Sequence, residues 1–387
     1  MRVKLSDLYD IGSSKRVFQS EWRKSGVPFY RAREIAKLSI DGYVDNELFI
    51  DEDLYLEYID KYGKPEAGDV MVTGVGTLGV CYVVKQEDRF YFKDGNILWF
   101  KQKAKDRILP EYLVKAFDSK DVKEFIDKNS SGTTVGTFTI QTAKKMEISL
   151  PSIEEQRNII QKITKIESVI KQRRQELQLL DDLIKARFVE MFGDININDK
   201  NWDCEPLGDL CTIVRGGSPR PIEQFLGGDI PWIKIGDATD GDNIYLSSTK
   251  EHIIQEGVKK SRFVKSGSLI FVNCGVSLGF ARIITFDGCI HDGWLAMEDI
   301  DERLDKVFLL QALNQMTEHF RAIAPAGTQP NLNTAIMKAY KQVLPPIELQ
   351  RDFIRFVHQV NKSKVAVQKA LDETQLLFDS LMQEYFG

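Results

Sequence analysis

The 387 residues include 52 Lys and Arg against 57 Asp and Glu, and the net charge of −5 argues against a uniformly basic nucleic-acid-binding protein. No segment approaches the roughly 18 consecutive apolar residues of a membrane-spanning helix, and the start of the chain has no continuous apolar core, so neither a membrane span nor a signal peptide is expected. The five cysteines form no CxxC pair, which favours buried free thiols in a reducing cytoplasm. A chain of this length can fold into two domains.

Charge is segregated near the start of the chain. Residues 1–37 carry nine Lys and Arg against four Asp and Glu, whereas residues 41–69 carry two against ten. Such segregation makes one face of a domain positive and another negative, even when the whole protein is acidic.

Short strands dominate the first part of the chain. Residues 11–16 form a glycine-serine loop that ends in two cations, and residues 27–33 indicate a short strand followed by two arginines. Further strand patterns occupy residues 68–73, 80–84, 90–92 and 97–100. An amphipathic helix at about 110–117 and a polar turn at 130–134 complete this part. The pattern predicts a mostly β domain of the α+β class.

Three motifs resemble catalytic or cofactor sites but lack the necessary context. Residues 74–79 match the dinucleotide-binding GxGxxG pattern, yet a strand follows them instead of the helix that binds the pyrophosphate. The acidic residues and lysine between positions 110 and 120 follow one helix, whereas nuclease carboxylates converge on a metal from strand ends. Cys289 and His291 are too few for a zinc site. We therefore expect a binding protein without an active site.

A long helical pattern begins at residues 150–157, which read Leu-Pro-Ser-Ile-Glu-Glu-Gln-Arg. Apolar residues then recur at alternating spacings of four and three, interrupted by Arg173 and Arg187: Ile159, Ile163, Ile166, Ile170, Leu177, Leu180, Ile184 and Met191. This spacing is a heptad seam. At about 1.5 Å per residue, some 35 residues make a helix roughly 50 Å long, which needs a partner helix.

The second part of the chain repeats the order of the first. It contains a glycine-rich loop with two arginines, a strand, two further strand patterns, a helix and a polar turn, at residues 214–220, 229–235, 267–272, 280–284, about 306–320 and 325–331. We expect a second mostly β domain of the same class.

The helical pattern also occurs twice. Residues 344–351 read Leu-Pro-Pro-Ile-Glu-Leu-Gln-Arg, 194 residues after the first copy, and this offset holds without a gap to the final Phe-Gly. Because the second helix leaves the domain that the first helix enters, and domain termini often lie close together, the two helices should pair antiparallel. The predicted fold is α+β, with two mostly β domains separated by two long antiparallel coiled-coil helices and related by a pseudo-two-fold axis.

These features resemble the specificity subunit of a type I restriction-modification DNA methyltransferase/restriction enzyme, over essentially the whole chain. The paired Leu-Pro-x-Ile-Glu-x-Gln-Arg motifs, the helices with Phe-Gly ends and the Gly-Thr turns upstream carry the resemblance. It implies four segments: a first DNA target-recognition domain at 1–152, a first conserved spacer helix at 153–193, a second target-recognition domain at 194–346 and a second spacer helix at 347–387.

The resemblance also implies a function. Such a subunit reads a bipartite site in double-stranded DNA, docks two methyltransferase subunits and can further recruit two ATP-dependent translocase-nuclease subunits. It is non-catalytic and holds no cofactor of its own. S-adenosylmethionine is expected on the partner methyltransferase subunit, and adenine is the usual methylated base.

Base reading requires hydrogen-bond donors and acceptors that enter a groove. We expect this role for Arg31, Arg33 and Thr133 in the first domain and for Lys234, Gln329 and Asn331 in the second. Phosphate contacts are expected from Lys15, Arg16, Arg215 and Arg220. Thr134 and Thr328, in the polar turns, complete the predicted DNA-binding set. Each of these residues could equally be an ordinary solvated side chain or part of an ordinary loop.

Two other classes of function remain open from the residues alone. A coiled-coil scaffold with two β-rich protein-binding domains would show no sequence-selective, salt-dependent DNA binding. An enzyme with an unrecognised site would show turnover by the isolated chain.

Overall fold

The computed structural model describes residues 2–130, 136–239, 243–325 and 331–387. The chain forms two compact units, one made of Met1–Arg174 with Lys369–Gly387 and the other of Gln175–Gln368. Each unit therefore contains part of both long helices. Within the described ranges, no helix combines the length and the apolar character that a membrane crossing requires.

The first unit consists of short strands and helices that lead into one long helix. In chain order they are β1 (Arg2–Lys4), α1 (Leu5–Leu8), β2 (Tyr9–Gly12), β3 (Val27–Tyr30), α2 (Ala32–Asp41), β4 (Phe49–Ile50), α3 (Glu52–Tyr62), β5 (Val70–Thr73), β6 (Cys81–Val83), β7 (Tyr91–Phe92), β8 (Ile97–Gln102), α4 (Pro110–Asp118), α5 (Lys120–Asn129), α6 (Ile140–Lys145), β9 (Glu147–Ser149) and α7 (Ile153–Phe192). Helices α1, α2, α3 and α5 are additional to the single helix expected before the polar turn.

Three sheets organise this unit. Strands pair in the orders β2-β8-β5-β6, β4-β3-β7 and β1-β9. Strand β6, and not a helix, follows the glycine-rich turn at 74–79, as predicted. A dinucleotide site would need a helix at this position. Gly74 is needed there because a Cβ would lie 2.9 Å from the carbonyl oxygen of Phe138. Gly74 therefore serves the close approach of two backbone segments.

The second unit has the same plan. Its elements are β10 (Cys204–Pro206), α8 (Leu207–Leu210), β11 (Thr212–Arg215), β12 (Leu226–Ile233), β13 (Tyr245–Leu246), β14 (Glu251–Ile253), α9 (Gln255–Val258), β15 (Arg262–Val264), β16 (Leu269–Val272), β17 (Ala281–Ile284), β18 (Gly288–Ile290), β19 (Trp294–Glu298), α10 (Lys306–Gln315), α11 (Thr317–Ile323), α12 (Thr334–Ala339), β20 (Lys341–Val343) and α13 (Ile347–Phe386). The helix expected over 306–320 is interrupted at Met316, whose φ of −90° and ψ of 9° are not helical.

Strand pairing shows how the two units correspond. The second unit has strand orders β11-β19-β16-β17-β13, β14-β12-β18-β15 and β10-β20. Strand β5 lies between β8 and β6 as β16 lies between β19 and β17, and β3 runs parallel to β7 as β12 runs parallel to β18. The diverged β-domains therefore share a common set of strand pairings, to which the second unit adds β13 and β15.

The long helices are antiparallel, as their contacts within each unit show. In the first unit, Lys162 near the start of α7 donates to the hydroxyl of Tyr385 near the end of α13, at 3.3 Å. In the second unit, the ammonium of Lys364 bonds to Asp181 at 2.5 Å, so the later part of α7 meets the earlier part of α13. The predicted α+β fold with two long antiparallel helices is confirmed.

A buried glutamine explains the recurring Leu-Pro-x-Ile-Glu-x-Gln-Arg motif. Gln156 is fully buried and accepts from the backbone N–H of Leu109 at 2.9 Å while donating to the carbonyl of Arg107 at 2.8 Å. Gln350 makes the same pair of bonds, with Asp305 at 2.9 Å and Arg303 at 2.9 Å. The amide thus ties the start of each long helix to the segment that precedes α4 or α10.

The cysteines are all free thiols. Burial raises the pKa of the Cys81 thiol well above its usual value and that of Cys211 to about 12. Cys204 is exposed, so the expectation of buried thiols is wrong for this residue. Strand β10 lies in a two-stranded sheet with β20, which leaves this residue accessible.

Candidate nucleic-acid interface

Parallel strands bring two chain segments to one sheet edge in the first unit. After β3 and β7, the backbone N–H of Lys93 donates to the carbonyl of Tyr30 at 2.8 Å. Arg31 follows the first strand, and an Asp94-Gly95 turn follows the second. Because parallel strands end at the same edge, these residues lie on one side of the sheet.

The loop after β2 is held against this turn. Nε of Arg16 donates to Oδ2 of Asp94 at 3.0 Å, and the hydroxyl of Ser14 donates to the carbonyl of Phe92 at 2.6 Å. Lys15 and Arg16 are both exposed. The structure therefore places two predicted phosphate contacts beside the Asp-Gly turn.

Arg31 and Arg33 are held by carboxylates. Arg31 donates to both oxygens of Glu34, at 2.8 and 3.1 Å. Arg33 bonds to Glu34 at 2.9 Å and to Glu47 at 2.8 Å. Burial raises the pKa of Glu34, but hydrogen bonds from Arg31 and Arg33 outweigh it and the pKa is lowered overall. These two predicted base readers thus form a network with a buried carboxylate.

The second unit repeats the sheet edge. The backbone N–H of His291 donates to the carbonyl of Ile233 at 3.0 Å, after the parallel strands β12 and β18. Lys234 follows β12 as Arg31 follows β3, and each backbone N–H is bonded to a carboxylate three residues later: Arg31 to Glu34 at 2.9 Å and Lys234 to Asp237 at 2.8 Å. The ammonium of Lys234 also bonds to the carboxylate of Glu251.

Two arginines of the loop after β11 lie beside the second Asp-Gly turn. Nε of Arg215 donates to the carbonyl of Asp292 at 3.1 Å, and the guanidinium of Arg220 lies 3.8 Å from its carboxylate. The hydroxyl of Ser218 donates to the same carboxylate at 2.8 Å. Arg215 and Arg220, both predicted to contact phosphates, therefore converge on one turn.

His291 and Asp292 titrate away from their ordinary ranges. Burial lowers the pKa of His291, and the cations Lys234, Arg220 and Arg215 lower it further, against the opposing effect of Asp292. Burial raises the pKa of Asp292, but the Ser218 hydroxyl and the surrounding positive groups outweigh it and lower the pKa overall. At neutral pH the turn thus presents an uncharged imidazole and a charged carboxylate.

Asn331 borders the same edge. Its side-chain oxygen accepts from Nδ2 of Asn273 at 3.1 Å, and the next residue, Leu332, bonds through its N–H to the carbonyl of Asn273 at 2.8 Å. The backbone N–H of Asn273 in turn donates to the carbonyl of Gly293 at 3.0 Å. Asn331 is therefore close to the Asp292 turn.

Four of the predicted residues, Thr133, Thr134, Thr328 and Gln329, lie outside the described residues. Their assignment stays a prediction, as does the DNA contact of every other residue in the set. Among the residues that the structure describes, no group of three potential metal ligands comes together.

Sequence reasoning missed Asp94, Asp292 and Trp232. An apolar strand followed after one residue by Asp-Gly occurs at 94–95 and again at 292–293, and this repeat was the available signal. Trp232 lies within the strand predicted at 229–235 and carries no sequence signal of its own. Its ring centroid lies 5.7 Å from that of His291, and the ammonium of Lys234 lies 5.7 Å from it.

A family model described as the type I restriction modification DNA specificity domain matches residues 1–179 and 199–374. The match thus extends through both β-domains and most of both long helices.

Named relatives agree with the family model. The type I restriction enzyme MjaIX specificity subunit of Methanocaldococcus jannaschii is 23% identical over 336 residues, which cover 81% of this chain and 76% of that protein. The putative type I restriction enzyme specificity subunit S.HindORF215P of Haemophilus influenzae is 28% identical over 197 residues, 51% of this chain. That alignment spans 47% of the relative, about half of its length.

A solved structure has the same fold. It belongs to work on the structural basis of complex assembly and conformational transition of the type I R-M system, and it matches with a TM-score of 0.66. The match covers 100% of this chain and 97% of that one, at 17% sequence identity. At this level of sequence identity, the match supports a common fold.

Proposed function

Since the chain belongs to the family of type I restriction-modification DNA specificity domains, we propose that it reads a bipartite site in double-stranded DNA, one half-site with each β-domain. The chain is a type I specificity subunit, and sequence-specific reading is the finer role that we assign to it.

One recurring arrangement carries the proposal. In each unit, at least one arginine of the loop before the first parallel strand contacts an Asp-Gly turn, and a cation follows that strand at the same sheet edge. Arg16 contacts the turn and Arg31 follows β3 in the first unit. Arg215 and Arg220 contact the turn and Lys234 follows β12 in the second. Two domains whose sequences have diverged keep this arrangement, although the net charge of the chain is −5. Clustered Lys and Arg on one face are the electrostatic footprint of DNA binding.

The long helices are the proposed docking surface for two methyltransferase subunits, and two restriction subunits would join the same assembly. S-adenosylmethionine is assigned to the methyltransferase partner. This chain would then be the non-catalytic subunit that positions the chemistry on its site.

Mapping methylated positions across a genome that carries this chain and its methyltransferase tests the reading role. We expect one bipartite sequence, with methylation lost when the gene for this chain is deleted. The purified complex should then bind a duplex of that sequence more tightly than a scrambled duplex. Equal, salt-insensitive binding of both duplexes would favour the protein-binding scaffold instead.

Two arginine variants test the face itself. Arg16→Ala and Arg220→Ala should each weaken binding on specific and scrambled DNA alike, and each should reduce the slope of log K against log salt by about one. Lys265→Ala is the matched control, because this exposed lysine lies before β16, at the opposite end of that strand from Asn273. A control variant that weakened binding as much would contradict the assigned face.

A further inference from the structure

The second unit has a cleft of about 520 Å³ beside the Asp292 turn. Its walls are residues 218–223 of the loop after β11, together with Trp232 and His291. Nothing in the DNA-reading role assigned above requires a cavity, because phosphates and base edges in a groove are contacted from a surface.

Trp232 lines this cleft and carries an unpaired hydrogen-bond donor. The side chain is 4% exposed, and its Nε1–H has no acceptor among the residues that the structure describes. Buried donors are nearly always paired, so such an orphan calls for an explanation, and an acceptor supplied by a ligand is one. The ammonium of Lys234 and the ring of His291, each 5.7 Å from the centroid of the Trp232 ring, place it within the candidate interface.

The other walls favour a ligand with a flat, apolar face. Pro219, Pro221 and Ile222 provide apolar surface, while Arg220 and Glu223 contribute one charge of each sign. The carboxylate of Asp292 lies 3.0 Å from Nε2 of His291, so a second negative charge borders the cleft. Burial lowers the pKa of His291, which leaves the imidazole neutral at pH 7. A nucleobase would bring a planar ring that suits the apolar walls, together with neutral acceptors for an N–H donor.

We propose that this cleft binds one nucleobase of the second half-site, turned out of the duplex, with the indole N–H of Trp232 donating to an acceptor on its edge. A base inside the stack offers its edge only at the groove surface, so a donor buried in a cleft requires an extrahelical base. The cations Arg215, Arg220 and Lys234 at the same sheet edge would hold the adjoining backbone. The proposal rests on DNA reading by the second domain.

The first unit does not share this donor. Phe29 of β3 occupies the place of Trp232 of β12. Phe29 precedes Tyr30 and Trp232 precedes Ile233, and the carbonyls of Tyr30 and Ile233 make the equivalent hydrogen bonds to the neighbouring parallel segment. The ring of Phe29 has no N–H group. The capture of a base is therefore assigned to the second half-site alone.

Duplexes containing the mapped site, with 2-aminopurine at single positions of the second half-site other than the methylated base, test the proposal. The fluorescence of 2-aminopurine rises when the base leaves the stack. With the complex of this chain and its methyltransferase subunits, we expect a rise at one position. Trp232→Phe should abolish that rise and weaken specific binding about three- to tenfold, the contribution of one neutral hydrogen bond.

Trp202→Phe is the matched control. It removes an indole N–H that donates to the carbonyl of Phe192 at 2.8 Å, away from the cleft, so the fluorescence rise should persist. If fluorescence rises at no position while sequence-selective binding is intact, the base-binding role of the cleft is contradicted, but DNA reading by the second domain is not. A rise that survives Trp232→Phe would also contradict the base-binding role. Loss of selectivity in the unmodified complex would instead contradict the proposed function.

Discussion

The arginines at the two Asp-Gly turns form exposed ion pairs, which are weak. The side chains of Arg16 and Arg220 are 66% and 80% exposed, and exposed ion pairs contribute about 0–1 kcal/mol. Exchanging Asp94 or Asp292 for a DNA phosphate therefore costs little. We therefore expect that the aspartates orient Arg16 and Arg220 in the free protein, and that both arginines bind phosphates of the DNA backbone in the complex.

Arg31 is held more firmly. The side chain of Glu34 is 2% exposed and accepts from both Arg31 and Arg33. Removing Arg31 from this carboxylate would leave a buried charge with one partner fewer, which is strongly unfavourable. Direct base reading by Arg31 stays a prediction. It would require either that Arg31 keeps its bond to Glu34 while it contacts the base, or that another group replaces Arg31 at this carboxylate.

His291 makes the stability of the second unit depend on pH. Its pKa is lowered in the folded state by burial, so between the ordinary value of 6.5 and the folded value the unfolded chain binds a proton that the folded chain does not. Stability should therefore fall as the pH drops below 6.5, by up to about 1.4 kcal/mol per pH unit, until the folded pKa is reached.

Urea unfolding at pH 7.5 and 5.5 measures this effect. His291→Asn should lose less stability between these two conditions than the unmodified chain. His358→Asn, the same change at an exposed position of α13, should follow the unmodified chain. Equal pH dependence in all three would contradict the assigned role of burial.

At the scale of elements, two polar residues between the long helices, Arg173 and Lys364, meet polar partners. Arg173 of α7 bonds to the carbonyl of Ala370 and the hydroxyl of Thr374, and Lys364 of α13 bonds to Asp181. Side chains of Lys364 and Asp181 are 18% and 25% exposed, and Asn243 also donates to Asp181 at 3.0 Å. These pairs stabilise one register of the two helices, because a shift would bury each charge without its partner.

The Lys364–Asp181 pair can be tested by a double-mutant cycle. Lys364→Met should destabilise the chain by about 1–3 kcal/mol, since it leaves the carboxylate of Asp181 largely buried, and adding Asp181→Leu should recover most of that loss. Lys185→Met removes the exposed partner of Asp182 on the same helix and should change stability by less than about 0.5 kcal/mol. Chemical denaturation of the unmodified chain, Lys364→Met, Asp181→Leu and the double variant gives the coupling energy, with Lys185→Met measured beside them. An additive cycle would mean that the pair does not couple the helices.

At the scale of the whole molecule, each β-domain joins its long helix through the same joint. Gln156 and Gln350 make equivalent bonds, and Phe192 and Phe386, which end the helices, are both buried. Phe192 packs against Phe308 of the second unit with centroids 4.8 Å apart, and Phe386 against Tyr112 of the first at 5.1 Å. A β-domain should therefore be transferable between the two joints.

A chimaera in which residues 194–346 replace residues 1–152 tests this. If each β-domain reads its own half-site, the complex should methylate a site in which both halves carry the second half-site's sequence. Methylome sequencing reads this directly. A folded chimaera that still methylates the original site would contradict independent reading by the two domains.

The sequence by itself determined the elements whose signal is local or repeated. The heptad seams, the motif pair and the order of strands around the glycine loops predicted the antiparallel helices and the α+β fold, because periodicity and an unbroken offset of 194 residues are readable without a structure. The basic residues of the loops were also visible, including Arg215, Arg220 and Lys234.

Only the tertiary structure decided what those residues meet. Arg16 bonds to a carboxylate 78 residues away, and Arg215 to a carbonyl 77 residues away, because parallel strands carry distant segments to the same edge. The cleft at Trp232 and the engagement of Arg31 by buried Glu34 arise in the same way. Local patterns specify helices and strands through short-range sterics and periodicity, whereas ion pairs and clefts depend on packing between segments that no local pattern relates.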